Sequence, residues 1–366
     1  MSTTNKNSEF DTRVVIVGGG ILGAAMAHAI GGPGCTLLER DRFGAGVTAH
    51  SCGILRVLHE DAGLSDLARA GVRAHAAFRA AEGDDLGFTR AGMLFVADAA
   101  ERDVLAQACA RWGSTEYPLE LLDAAAAAER LPGLRLGEGE IAVFEPEAGY
   151  GDAARTVRAL VAAAVRSGVQ AHEGVAVERV VVEGGRVRGV MADGRFWPAG
   201  TVVLASGTWS HALLAPLGVE VGLFHKVIQT VDVDGGAHPA FYDAVHHTFG
   251  RPDGGGRSRV GVVLGDRPAA PGQLPLDEAA SHRARTLVAQ RFTALAERVP
   301  TGGVRVADSY VPGPLGLNGF VAAVPGLFLC VGWGGTGFKV APALGQAAAA
   351  LMLASARLPA VAGGAR

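Results

Sequence analysis

The sequence predicts an α/β fold built on a Rossmann-type parallel sheet, and three stretches support this prediction. The first is an apolar strand at 14–17 followed by a glycine-rich turn and a helix rich in small residues. The second is a series of short strands with tight turns at 175–205, which predicts a β-meander. The third is an apolar strand at 327–331 that leads into a second glycine-rich turn and a helix.

Residues 14–39 have the order of a dinucleotide-binding βαβ unit. A strand leads into Gly-x-Gly-x-x-Gly, a helix follows, and a second strand ends at Glu39, about 20 residues after the first glycine. Gly18 permits the tight turn, Gly20 lets the backbone approach a pyrophosphate, and Gly23 allows close packing of helix on strand. The helix amino terminus offers free N–H groups to that pyrophosphate, and Glu39 is placed to accept hydrogen bonds from a ribose diol.

The rest of the chain continues the alternation of helices and strands. Helices are predicted at 64–81, 99–112, 120–130, 153–166 with Asp152 as the cap, 276–299, and from the second glycine-rich turn to about 354. Extended segments are predicted at 92–97, 141–150, 175–205 and within 221–264.

Composition excludes several classes of protein. The 366 residues suffice for two domains, and the sequence is 49% hydrophobic and 19% charged. A net charge of -3 and a pI near 6.4 argue against a nucleic-acid partner. The first ten residues lack an apolar signal core and no uncharged apolar run approaches about 20 residues, which predicts a cytoplasmic protein without a membrane span. The four cysteines lack Cys-x-x-Cys spacing, so neither a metal site nor a disulfide framework is indicated.

Three stretches together resemble the FAD-dependent D-amino acid oxidase family, especially its glycine oxidase, sarcosine oxidase and dimethylglycine dehydrogenase branches. They are residues 18–39, 201–210 and 326–345, of which Gly-Trp-Gly-Gly-Thr-Gly-Phe-Lys is the most specific part. The resemblance implies FAD as the cofactor, a discontinuous FAD-binding domain, and a substrate domain on an antiparallel sheet. The FAD-binding domain is predicted at 11–90, 145–217 and 320–366, the substrate domain at 91–144 and 218–319, and a disordered tail at 1–10.

The resemblance also assigns residues to the cofactor. Residues 46–56 resemble the family segment that crosses the pyrophosphate and runs beneath the flavin. The predicted cofactor-binding residues are Gly18, Gly20, Ile21, Leu22, Gly23, Glu39, Arg40, Thr48, Ala49, His50, Ser51, Cys52, Gly53, Val175, Ser206, Gly207, Trp209, Gly334, Gly335, Thr336, Gly337, Phe338 and Lys339. A tryptophan that serves only the core is the alternative for Trp209. Non-covalent FAD is expected, and a covalent link through His50, as in dimethylglycine dehydrogenase-like proteins, is the alternative.

Five residues are predicted to serve the chemistry. Lys339 falls where sarcosine-oxidase-like members hold the substrate carboxylate; the alternative is a solvated lysine at a helix start. Arg56 matches a family arginine close to the flavin, with a surface arginine as the alternative. Tyr310 resembles a family tyrosine that faces the substrate, and Arg259 sits near the family's oxygen-activating lysine. His247 can help to deprotonate an ammonium substrate, or it is a histidine satisfied within the sheet.

These assignments predict a flavoenzyme that oxidises the C–N bond of an amino acid or related amine to an imine by hydride transfer to flavin. Reoxidation by O2 or another acceptor is expected. His59 and His246-His247 occupy positions where sarcosine oxidases carry an arginine and paired tyrosines, which leaves the substrate open. The alternatives are a flavin-binding, non-catalytic or electron-transfer subunit of a hetero-complex, and a nicotinamide-dependent dehydrogenase, which the β-meander and the second glycine-rich turn disfavour.

Overall fold

The elements follow the predicted alternation along most of the chain. The computed structural model describes residues 13–83, 87–236, 238–267, 270–295 and 300–357, and the predicted tail at 1–10 lies outside these ranges. The strands are β1 (Val14–Val17), β2 (Cys35–Leu38), β3 (Ile54–Leu55), β4 (Met93–Asp98), β5 (Glu120–Leu122), β6 (Glu140–Glu145), β7 (Gly149–Tyr150), β8 (Gln170–His172), β9 (Val177–Glu183), β10 (Arg186–Ala192), β11 (Arg195–Pro198), β12 (Thr201–Leu204), β13 (Phe224–Asp234), β14 (Ala240–Asp243), β15 (Thr248–Pro252), β16 (Arg257–Val262), β17 (Gln273–Leu274), β18 (Pro300–Tyr310), β19 (Leu317–Phe320) and β20 (Leu327–Val331). The α-helices are α1 (Ile21–Ile30), α2 (Ala62–Glu82), α3 (Arg102–Trp112), α4 (Ala124–Arg130), α5 (Ala153–Arg166), α6 (Ser210–Leu214), α7 (Glu278–Arg291) and α8 (Gly337–Arg357).

The first sheet has six strands in the order β19-β20-β12-β1-β2-β8. All neighbouring strands are parallel except β19 and β20. Their apolar runs are buried on both faces, as a parallel sheet between two layers requires. On one face Ile16 and Phe328 pack with residues of α1, α5 and α8, while Val15 and Val17 point to the other face.

The predicted β-meander covers that second face. β9, β10 and β11 form an antiparallel sheet, and Val187 and Val190 of β10 pack with Val15 and Val17. The turn at Gly184 and Gly185 uses positive φ at both residues, as tight hairpins prefer. The meander therefore closes the second layer of the Rossmann-type half.

A nine-stranded sheet with the order β17-β18-β13-β16-β15-β14-β4-β6-β5 forms the other half of the molecule. Its neighbours are antiparallel except for the β4–β14 pair. Residues of α7 pack on one face with Phe241 and Val260, and residues of α3 pack on the opposite face with Phe95 and Val143.

The chain passes between the two halves several times. Strands of the parallel sheet and the meander come from residues 14–38, 170–204 and 317–331, whereas the nine-stranded sheet uses residues 93–145 and 224–310. The domain boundaries themselves stay predictions.

Two predicted helices are shorter than their sequence patterns indicate. The helix expected at 120–130 is wrong over its first turn, because Glu120–Leu122 pairs with β6 and Asp123 then caps a helix that starts only at Ala124. The helix expected at 276–299 spans only Glu278–Arg291. It ends because Phe292 leaves helical geometry and packs its ring 4.9 Å from that of Phe241. Residues 296–299 of that prediction lie outside the described residues.

Helix α8 is apolar enough to be considered as a membrane span. The stretch Gly334–Ala354 is long and apolar enough to cross a membrane by length and composition, with a mean hydropathy of 1.3. However, 56% of this apolar window is buried inside the protein, where α8 packs against α1 and α2. These contacts are typical of the core helix of a globular fold.

Candidate active site

One continuous cavity of about 860 Å³ lies between the parallel sheet and the nine-stranded sheet. Its wall includes the first glycine-rich turn, the 46–56 segment, the second glycine-rich turn and residues of β13, β14, β16 and β18. This volume is in the range of cofactor and small-molecule sites, about 300–1,000 Å³. The topology thus brings segments that are far apart in sequence onto one site.

At one end, the first glycine-rich turn has the backbone geometry that the fingerprint predicts. Gly18 has φ of +104°, and a Cβ there would lie 2.6 Å from the carbonyl oxygen of Ala205. Gly23 does not line the cavity; a Cβ on it would lie 1.8 Å from the carbonyl oxygen of Gly18, so its role is helix packing. Gly20 lines the cavity at the start of α1, and a helix amino terminus of this kind favours an anionic group such as a pyrophosphate.

Glu39 lies at the end of β2 and also lines the cavity. Its carboxylate accepts hydrogen bonds from the backbone N–H groups of Gly19 at 2.6 Å and Asp41 at 2.9 Å. These bonds fix the acid beside the turn, and the remaining lone pairs are available to a ribose. The predicted role is compatible with this geometry.

The neighbouring part of the cavity is open at its outer edge. Val175, Ser206, Gly207 and Trp209 all line it as predicted. Trp209 is 40% exposed and stacks under the Arg40 guanidinium at 3.9 Å. The alternative of a tryptophan serving only the core is therefore wrong.

The 46–56 segment forms one wall. Val47–His50 is a 3-10 helix, and Thr48 accepts a hydrogen bond from the Ile21 N–H at 3.2 Å, which ties this segment to the start of α1. Gly53 has φ of +61°, and a Cβ there would lie 2.3 Å from the carbonyl oxygen of Gly151. Among the predicted residues of this segment, Ala49 alone does not line the cavity; the others are Thr48, His50, Ser51, Cys52 and Gly53.

The second glycine-rich turn faces the same space. Gly334 has φ of +44°, and a Cβ on it would lie 2.2 Å from the ring of Tyr310. The Gly335 N–H donates to the Tyr310 hydroxyl at 3.3 Å. All the predicted residues of this turn line the cavity, namely Gly334, Gly335, Thr336, Gly337, Phe338 and Lys339.

Three basic side chains converge on the inner part of the cavity. Lys339 and His59 are only 5% and 7% exposed, and both line the cavity with Arg56. Within the described residues, Nη1 of Arg56 and Nε2 of His59 are buried without a hydrogen-bond partner. The Arg56 guanidinium also lies 5.2 Å from the centre of the Tyr242 ring. Neither the surface arginine nor the solvated lysine considered from the sequence is found.

Electrostatics in this part of the cavity favour an anionic ligand. Burial lowers the pKa of Lys339 to about 7, and the charge of Arg56 adds to the effect. Burial, Arg56 and Lys339 together hold the pKa of His59 well below its ordinary value. His59 is therefore neutral, and a bound carboxylate or flavin carbonyl oxygen would stabilise the cationic forms of Arg56 and Lys339 beside it.

Two predicted catalytic residues lie outside this cavity. His247 has φ of +54° in the turn after β14 and lines a separate pocket of about 430 Å³ with His246 and His282. Arg259 does not line the cavity, and its guanidinium is paired with Asp232 at 2.9 Å. The predicted contact of His247 and Arg259 with the reaction site is therefore corrected.

Other cavity residues were not identified from the sequence. Tyr242 on β14 reaches the site instead of His247, and Asp308 and Lys226 line it from adjacent strands. Burial raises the pKa of Asp308 to about 6. No short motif marks these residues.

The wall fits the implied FAD. Gly207 has φ of +54°, and a Cβ on it would meet no atom within 4 Å. This glycine therefore borders open space. The amide-rich start of α1 suits a pyrophosphate, and the unpartnered Arg56 and His59 nitrogen atoms suit flavin or substrate oxygen atoms. These features extend along one cavity, as a long dinucleotide requires.

Comparison with known proteins identifies the class. The sequence pattern of the FAD dependent oxidoreductase family matches residues 13–351, and the chain belongs to this family. Membership of this family confirms the predicted family and FAD as the cofactor. The nicotinamide alternative is not supported.

Individual relatives are more distant. The chain is 28% identical over 352 residues to 4-methylaminobutanoate oxidase (formaldehyde-forming) of Paenarthrobacter nicotinovorans, covering 91% of this chain and 43% of that protein. It is 39% identical over 129 residues to a D-amino acid dehydrogenase of Cereibacter sphaeroides, covering 35% of this chain and 28% of that protein. The chain therefore spans less than half the length of the curated relatives it matches.

Solved structures confirm the predicted fold class. The structure is similar to L-proline dehydrogenase from P. horikoshii, with a TM-score of 0.84, 21% identity and 94% coverage of both chains. It is also similar to glycine oxidase from Geobacillus kaustophilus, with a TM-score of 0.78, 21% identity and 95% coverage of both chains. At this identity the comparison establishes the fold alone.

Proposed function

We propose that this protein oxidises the C–N bond of an amino acid or a related amine that carries a carboxylate. The observation that carries the proposal is the group formed by Arg56, His59 and Lys339, whose buried nitrogen atoms share one cavity with the second glycine-rich turn. A carboxylate would pair with Lys339 and Arg56 in a site of low dielectric constant, where charge-assisted hydrogen bonds are strong.

The chain's own residues would bind and orient the substrate. Lys339, held over the Gly335 carbonyl oxygen at 3.3 Å, would fix the carboxylate at the start of α8. Tyr242 and Tyr310 would enclose the amine and exclude water. FAD, when bound, would supply the oxidant for the C–N bond, accepting a hydride from carbon while the nitrogen gives up a proton. Water would then hydrolyse the imine product.

The electron acceptor is proposed more broadly, as O2 or another acceptor. Arg259, considered from the sequence for a role near oxygen, is held by Asp232 outside the cavity wall. A cytoplasmic location remains an expectation from the sequence.

The test is reduction of the flavin under anaerobic conditions by a panel of primary and secondary amino acids and matched amines without a carboxylate. We expect bleaching of the flavin absorbance by at least one carboxylate-bearing amine, and peroxide formation in air if O2 is the acceptor. A flavin that dithionite reduces but that no amine bleaches would contradict the proposal and favour a non-catalytic or electron-transfer subunit.

A further inference from the structure

Glu145, the last residue of β6, is a fully buried carboxylate that the proposed reaction does not use. It accepts hydrogen bonds from the backbone N–H groups of Val57 at 2.7 Å and Leu58 at 3.0 Å. The Tyr117 hydroxyl donates a third bond at 2.7 Å. Glu145 does not line the cavity, so its carboxylate contacts the backbone of wall residues and not the cavity itself.

The two amides belong to a segment without regular secondary structure. Residues 56–61 lie between β3 and α2, so the N–H groups of Val57 and Leu58 lack strand or helix partners. Their side chains are 2% and 1% exposed, and buried amides of this kind require acceptors. The carboxylate of Glu145 supplies both acceptors from a strand 87 and 88 positions away in sequence.

The neighbours of these two residues are the cavity groups. Arg56 precedes Val57 and His59 follows Leu58, and both flanking side chains line the cavity. The next amide, the His59 N–H, is held by the Ser65 hydroxyl at 3.0 Å. Three consecutive N–H groups are thus fixed at the point where the chain presents its basic side chains.

The hydrogen bonds of Glu145 favour its ionised form, and its negative charge supports the basic side chains nearby. Donors approach both carboxylate oxygens, an arrangement that suits the ionised acid because a protonated oxygen would face another donor. Burial raises the pKa of Glu145, whereas Arg56 and the three donors oppose that shift. A negative charge here also favours the protonated forms of Arg56 and Lys339.

We propose that Glu145 is a positioning residue, whose carboxylate sets the Val57–Leu58 backbone so that Arg56 and His59 face the substrate. Tyr117 supports it by fixing one carboxylate oxygen. The inference rests on the proposed function, because only a carboxylate-binding cavity gives this positioning a catalytic consequence.

The experiment compares FAD-loaded wild type with Glu145→Gln, Glu145→Asp and Tyr117→Phe. Glu145→Gln replaces one acceptor oxygen by a donor, so amide hydrogen exchange in a peptide covering 54–61 should accelerate about tenfold or more. KM for a carboxylate substrate should rise about tenfold, with a smaller change in kcat. Tyr117→Phe keeps both amide acceptors and should give a smaller change in the same direction.

Asp243→Asn is the control, because Asp243 is a buried carboxylate of the same sheet that binds Arg291 outside the cavity wall. It should lower Tm without changing exchange at 54–61.

Folded Glu145→Gln with wild-type exchange at 54–61 would overturn the proposal, and so would accelerated exchange with unchanged KM. If Glu145→Gln does not load FAD, Glu145→Asp and Tyr117→Phe decide by the same two readouts, since each retains a carboxylate. If no amine reduces wild-type flavin, the proposed function fails separately. Exchange at 54–61 then decides whether Glu145 holds this segment: acceleration supports that hold, and unchanged exchange overturns it.

Discussion

The Nζ atom of Lys339 donates to the carbonyl oxygen of Gly335 at a distance of 3.3 Å, one helical turn earlier. This bond places a buried ammonium group at the amino terminus of α8, where the helix dipole disfavours a cation. A lysine kept in such a position needs an anionic partner when the site is filled. Under the proposed function, this relationship connects the second glycine-rich turn to binding of the substrate carboxylate.

Replacing Lys339 by Met should raise KM for a carboxylate substrate by about 30-fold or more, because losing one partner of a buried charge pair costs about 2 kcal/mol or more. Methionine preserves much of the side-chain volume, so the FAD content should stay near that of wild type. An amine without a carboxylate is the internal control, and its KM should change little. Equal losses for both substrates would contradict a carboxylate-binding role.

Affinity for a carboxylate inhibitor should depend on pH through Lys339. The pKa of this group in the free protein is lowered to about 7, so the cation is present below pH 7 and is lost above it. A bound carboxylate favours the cation, so the Kd of benzoate, which has no amine to titrate, should be flat below pH 7 and rise above it. The rise should disappear in Lys339→Met. A benzoate Kd that is constant from pH 6 to 9 in wild type would count against this assignment.

Two histidines should behave differently on replacement. His59→Leu removes a buried imidazole whose Nε2 has no partner among the described residues, and KM should rise about tenfold if His59 binds substrate.

His247→Asn, in an exposed turn with φ of +54°, should leave kcat/KM within about twofold, since Asn tolerates positive φ. Steady-state kinetics on both variants provides the measurement. A large loss of kcat in His247→Asn would restore the role predicted from the sequence.

FAD retention should be highly sensitive to one glycine of the first turn. In Gly23→Ala the new Cβ would lie 1.8 Å from the Gly18 carbonyl oxygen, which must displace the turn at the start of α1. We expect loss of most bound FAD, measured as the ratio of absorbance at 450 nm to that at 280 nm after gel filtration. Gly34→Ala is the matched control, because its Cβ would meet no atom within 4 Å. Full FAD content in Gly23→Ala would show that the turn can move without cost.

The cofactor should be released by acid. Backbone N–H groups and cations in the cavity wall would bind FAD without a covalent bond, although His50 also lies in this wall. After precipitation with trichloroacetic acid, the yellow colour should remain in the supernatant. Colour that stays with the pellet in wild type and moves to the supernatant in His50→Ala would establish the histidyl linkage instead.

Local sequence was sufficient for the glycine-rich elements. Gly18, Gly20 and Glu39 could be predicted because each role follows from backbone geometry within one βαβ unit. Residues whose positions depend on long antiparallel strands were harder to predict from the sequence. The predicted position of His247 at the reaction site was wrong, because the turn after β14 carries it away from the cavity, while Tyr242 on the strand itself lines the wall. An error of a few residues in aligning this sequence with the family is enough to exchange two such positions.

The sequence by itself determined the dinucleotide fingerprint, the meander, the second glycine-rich turn and hence the family, because these features depend on contiguous residues and on the special conformations of glycine. Only the tertiary structure decided which side chains meet around the cavity. Arg56, His59 and Lys339 converge there, and Glu145 holds the backbone between the first two from another sheet. The physical reason is that burial and pairing of charges depend on contacts between distant segments, which no local pattern encodes.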